Sequence, residues 1–156
     1  MKSAGPKWVV LTWRLPSGSS TPRVTTWRTL RRMGAVLLTP GAAIVPFTED
    51  LLEQCEWLAQ RVREDGGEAW VLPVTELSER EETTIRERER ASREQEYGTL
   101  RVEAEALARP AKPPTHRKVL ALERGFRSVL ARDHFTAKGR GSARRAIERA
   151  RRVRAE

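Results

Sequence analysis

Apolar and polar positions along this chain follow two rhythms, and the change between them comes near Ser78. Before it, short β-branched and aromatic runs alternate with stretches of helical period. "KWVVLTWRLP" reads as a strand that stops at Pro16. Thr21 and Pro22 offer a cap and a first-turn proline for a helix through "RVTTWRTLRRM" that ends at Gly34. Val24, Trp27, Leu30 and Met33 are expected on its inward side, Arg28 and Arg32 on its outward side. "AVLLTPGAAIVPF" is two apolar runs about a Pro40-Gly41 turn, a β-hairpin. Thr48 opens a second helix with Glu49 and Asp50 in its first turn, an apolar line of Leu51, Cys55, Leu58 and Val62, and a stop at Gly66-Gly67. "EAWVLPV" supplies the fourth strand.

The order β-α-β-β-α-β over residues 1–77 is the ferredoxin-like arrangement, in which two helices cover one face of a four-stranded antiparallel sheet. The other face needs cover or a partner. Five tryptophans in so short a chain are expected mainly as core and interface anchors, with base stacking as the lesser alternative.

Beyond Ser78 the pattern becomes helical. Ser78 and Glu81 form a capping box, and "EREETTIRERERASREQEY" is charged on every side, with Glu82 four residues before Arg86 and Glu89 four before Arg93. A helix polar all round is expected to sit in water until Tyr97, Leu100, Ala104 and Leu107 restore an apolar stripe. The long helix is expected over 79–108, a stiff proline-rich connection over 109–115, and two further helices over 116–135 and 142–155. Val119, Leu122, Phe126 and Val129 line the first of these, while Ser142 caps the second, where Ala143, Ala146, Ile147, Ala150 and Val153 are placed to pack. The fold class is therefore α+β: a ferredoxin-like domain, 1–77, followed by a helical extension, 78–156, made of a long helix and a C-terminal helical hairpin.

The net charge of +9 is unevenly spread: residues 1–47 carry +7 with no acid, 48–108 carry −9, and 109–156 carry +11. Such blocks suit either an anionic partner or docking between segments of opposite sign. A single cysteine excludes an internal disulfide and is expected to be a small buried hydrophobe. Two distant histidines build no metal cluster, and no nucleophile motif or phosphate loop appears, so the chain is expected to be neither an enzyme nor a cofactor or metal binder. Asp133 and His134 are expected to end a helix, Asp133 pairing with an arginine and Phe135 packing. No apolar run suffices to span a bilayer or make a secretory leader, so a cytoplasmic protein without membrane contact is expected.

The strand ending in Leu15-Pro16, the Arg23 to Trp27 to Leu30 helix, Gly34, the Pro-Gly hairpin ending in Val45-Pro46 and the Gly-Gly before strand four occur in this order. Together with "EQEY" and the "LARDHF" segment from Leu130 to Phe135, they resemble the N-terminal domain of the ChrB family of chromate-resistance regulators. The resemblance implies a cytoplasmic, repressor-like regulator of chromate efflux, with chromate as an effector. It also implies a second, sensor-like domain, which this chain is expected to lack. More distantly, the layout looks like CRISPR Cas2 proteins and the middle domain of PaaX-type repressors. Cas2-type nucleases hold a metal with an aspartate at the end of strand one, where this chain has Arg14, so nuclease chemistry is not expected.

Two clusters are candidate binding sites. Arg144, Arg145, Arg149 and Arg152 on the last helix, with Lys138 and Arg140 before it, are candidates for DNA phosphates; a solvated face or docking on the acidic middle segment is the other reading. Arg23, Arg28, Arg31 and Arg32 are a candidate anion site for an oxyanion such as chromate, against a solvated face or subunit salt bridges. The function expected is a dimeric, non-enzymatic transcriptional regulator that binds DNA through basic helices. The alternative is an interaction module that recruits a separate sensor-domain protein without touching DNA.

Overall fold

The computed structural model describes residues 4–18, 20–109, 111 and 113–155. Its elements run β1 (Trp8–Arg14), α1 (Ser20–Met33), β2 (Val36–Thr39), β3 (Ala42–Pro46), α2 (Glu49–Glu64), β4 (Glu68–Val74), α3 (Glu79–Leu107), α4 (His116–Ala131) and α5 (Arg140–Ala155). Two compact units divide the chain within α3, one through Ile85 and one from Arg86.

In the first unit the sheet order is β2-β3-β1-β4 with every pairing antiparallel, the ferredoxin-like arrangement. Strand alternation sends Val9, Leu11, Ala43, Val45 and Ala69 to one face, where Leu30 and Met33 of α1 and Leu51, Cys55, Leu58, Ala59 and Val62 of α2 close over them. The α2 boundaries follow from local chemistry. Thr48 Oγ1 accepts the Leu51 amide at 3.0 Å, and Gly66, at φ 84°, ends the helix in a conformation that disfavours any side chain. Gly67 then passes so close to β1 that a Cβ there would lie 2.3 Å from the Arg14 carbonyl oxygen.

Two expectations for α1 fail, its inward side and its Thr21 cap. Val24 and Trp27 do not face inward: they are 43% and 51% exposed, and Thr26 is buried beside Leu30 and Met33 instead. The helix starts at Ser20, so Thr21 is a helical residue, and the buried stripe runs through 26, 30 and 33, with Trp27 turned about 100° from it. The tryptophans also divide. Trp8 is buried and Trp13 packs on the core, whereas Trp57 and Trp70 are each 66% exposed.

In the second unit Tyr97 of α3 packs with Val129 of α4, Ala137 of the connecting loop and Ala143 of α5; Ala104, Leu122, Ala146 and Ile147 form an adjoining cluster. Three expectations fail here. Glu89 and Arg93 are not solvated but buried at 3% and 8% exposure, because they extend the line of Tyr97 backwards at four-residue spacing. The fourth helix stops at Ala131 rather than 135: the Asp133 carboxylate accepts the Ala137 amide at 2.9 Å, and Thr136 takes φ 53°. The last helix begins at Arg140, two residues early, with Gly139 accepting its first amide, from Ala143, so Ser142 is not its cap. Among the described residues, no helix is long and apolar enough to cross a membrane.

Candidate functional site

α5 has one face made for packing and another for water. Ala143, Ala146 and Ala150 are fully buried and Ile147 nearly so; removing bulk there lets the helix lie close to its neighbours. Helical geometry then forces the intervening arginines outward. Arg145, Arg149 and Arg152 form an exposed ridge on one flank, and Arg144 and Arg151 occupy the other. Arg144 lies over the Phe126 ring at 5.6 Å, beside Arg127 of α4, along a shallow groove that Ile147 and Glu148 complete.

Among the described residues, two carboxylates approach this face at long distance. Arg149 lies 3.9 Å from the exposed Glu105 and Arg151 4.0 Å from the half-buried Glu123. Such pairs contribute about 0–1 kcal/mol and yield readily to a competing anion. Arg145 reaches Ser142 Oγ at 3.4 Å, and Arg154 contacts the His116 ring. Arg145 and Arg152 meet no carboxylate among the described residues.

The other candidates scatter. Lys138 is exposed in the loop before α5. Arg140 is half-buried, and its charge acts on Tyr97 rather than joining the outer ridge. Arg23, Arg28, Arg31 and Arg32 are all exposed on α1 and not convergent: Arg31 stacks over Trp27 at 4.8 Å, and Arg32 approaches Thr29 Oγ1 at 3.5 Å.

Beneath the α3 end of this unit lies a polar cluster that pattern reading passed over. Arg93 Nε is 2.8 Å from Glu96 Oε2, and Arg132 donates to Glu96 Oε1 at 2.6 Å. Tyr97 donates its hydroxyl to Asp133 Oδ2 at 2.9 Å, so tyrosine and a loop amide, not the expected arginine, satisfy that aspartate. Phe135 is held by Arg86 over its ring at 5.0 Å and by Arg90 Nε donating to its carbonyl at 3.0 Å. Burial pushes the Glu89 carboxyl up to about 7; Arg93 and the nearby His134 amide pull it down by less, and neither oxygen reaches full hydrogen-bond geometry. Burial, then the bond to Asp133, also raises Tyr97. The available signal was the spacing 85, 89, 93, 97, which places two charged residues on a buried line.

This cluster fastens α3, α4 and the loop before α5. No group of three or more histidine, cysteine or acidic side chains is arranged for a metal ion among the described residues.

The family model described as "Protein ChrB, N-terminal" matches residues 23–108, more than half of the chain. Protein ChrB of Cupriavidus metallidurans is 30% identical over 79 residues, which make up 51% of this chain and 24% of that protein. The chain thus spans about a quarter of the length of the curated relative it matches. No solved structure matches it. The family match takes in most of α1 and everything from β2 through α3, and ends before α4 and α5.

Proposed function

The chain belongs to the ChrB N-terminal family, and from that premise we propose that it is a non-enzymatic regulatory protein of a chromate-resistance system that grips duplex DNA with the basic side of α5. The family supports the regulatory setting. The DNA contact rests on α5 alone, because the family match does not reach it.

The observation that carries this reading is the exposed ridge of Arg145, Arg149 and Arg152 on a helix whose opposite face is sealed by alanines. A row of exposed guanidinium groups with only long carboxylate contacts among the described residues suits phosphate oxygens, and gains affinity by releasing their counterions. Lys138 adds charge at the N-terminal side. Phosphate contacts carry no sequence information, so any sequence preference would come from base-edge contacts or from duplex shape.

The test is binding to a labelled duplex across a salt series, with the R145Q/R149Q/R152Q variant beside the parent chain. Steep weakening with salt, reduced by the variant, supports the reading. A variant that binds DNA unchanged but loses a protein partner would move the assignment to an interaction module.

A further inference from the structure

The outer surface of the α1–α2 layer is divided by charge. On α1, the side turned away from Leu30 and Met33 carries Arg28, Arg31 and Arg32, and the helix contains no acid. On α2, the side turned away from Leu51, Cys55 and Val62 carries Glu49, Glu53, Glu56 and Glu64, all exposed. The two bases of α2 leave that face: Arg63 donates to the Ala69 carbonyl at 2.9 Å and Arg61 lines the groove between the helices. A basic row therefore runs beside an acidic row.

Several members of the two rows are not neutralised within one chain. Arg28, Glu49, Glu53 and Glu56 form no ion pair among the described residues. Exposed apolar side chains accompany the rows. Trp57 stands at the groove, 66% exposed, and Val24 on the outer line of α1 is 43% exposed. The Trp57 indole N–H donates to Glu53 Oε1 at 3.5 Å.

We infer that this face is the docking surface for a second copy of the chain, α1 of each protomer lying on α2 of the other. A twofold interface must be complementary to itself. A twofold axis along the α1–α2 groove superposes the basic row of one copy on the acidic row of its partner twice over, and brings the two Trp57 rings to the centre. A polyanion fits this face poorly. Packed helices lie about 8–10 Å apart, so an anion held by the α1 arginines would feel the α2 glutamates within roughly one Debye length. An unrelated partner would need the same alternating pattern, which this chain already carries. The inference does not depend on the DNA-binding reading of α5.

Two charge reversals and their mixture test it. R28E/R32E makes both rows acidic, and E53R/E56R makes both basic. In low salt the parent chain sediments as a dimer, each variant alone as a monomer with parental circular dichroism, and an equimolar mixture as a heterodimer. Should either variant lose its fold, W57A takes its place and weakens the parental dimer by about tenfold or more. The inference is overturned by a monomeric parent, by a dimer that survives both reversals, or by folded variants that stay monomeric on mixing. It is equally overturned if the parent is monomeric and R28E/R32E abolishes binding of duplex DNA or chromate, which would give the arginine row to an anion.

Discussion

The Tyr97 hydroxyl donates to Asp133 Oδ2 at 2.9 Å, joining the middle of α3 to the turn after α4 across 36 positions of sequence. The ring is fully buried and Asp133 also accepts the Ala137 amide, so the pair closes the loop that launches α5. Y97F removes the hydroxyl alone and is expected to cost about 1 kcal/mol. D133A also strands the Tyr97 hydroxyl and the Ala137 amide, and is expected to cost roughly 2–3 kcal/mol. Urea unfolding of the two variants checks the order; an unchanged midpoint for D133A contradicts it.

Stability of the second unit should fall as pH rises through the range where most carboxylates stabilise. Glu89 titrates near 7 in the fold against an ordinary value of 4.5. The folded state therefore holds this proton more tightly than the unfolded chain. Its contribution is fully present below about 4.5 and is lost by pH above 7. E89Q stays neutral, so it is expected to match the parent at acid pH and to gain on it by pH 8, by up to about 3 kcal/mol. Thermal melts at several pH values decide it, and a gap that does not change with pH would falsify the assignment.

Neutralising Arg145, Arg149 and Arg152 together is expected to lower duplex affinity and to flatten the plot of log affinity against log salt by up to about 0.9 per lost phosphate contact. Fluorescence anisotropy across a salt series measures both. Equal slopes for parent and variant mean that these side chains do not touch phosphate.

Gly67 admits no side chain. A Cβ there would lie 2.3 Å from the Arg14 carbonyl and 2.9 Å from Val62 Cγ1, the first a backbone atom of β1. G67A is expected to destabilise by roughly 1–3 kcal/mol through forced displacement of strand or helix. G5A, where nothing lies within 4 Å, is the control and should melt with the parent.

Cys55 is buried, and burial, with Glu56 adding to it, pushes its thiol up to about 11. Iodoacetamide is expected to label it only after unfolding, because the thiolate is the nucleophile. Rapid labelling of the folded chain, followed by mass spectrometry, would show instead that α2 opens.

Much of this architecture was legible where local chemistry decides it. The Thr48 cap, the Pro40-Gly41 hairpin, the Ser78 cap and the Leu51 to Val62 stripe are short-range patterns, and each stands where its residues put it. Trp27 was misplaced because size suggests burial, while the helical phase set by Thr26, Leu30 and Met33 turns it outward. The α5 arginines were legible as an exposed row, although Arg140 is half-buried. The end of α4 was missed because the turn depends on Tyr97, which is distant in sequence from Asp133.

The sequence by itself determined which segments are strand and helix, the ferredoxin-like order and the alternating blocks of charge, since these follow from residue spacing and turn chemistry. Only the tertiary structure decided that Glu89 and Arg93 are buried while Trp57 and Trp70 meet water. A residue's fate there depends on what packs across from it. Spacing places Glu89 and Arg93 on the line of Tyr97, but whether that line is desolvated depends on α4 and the loop before α5, whose residues, such as Arg132 and Asp133, lie 36 positions away from their partners Glu96 and Tyr97.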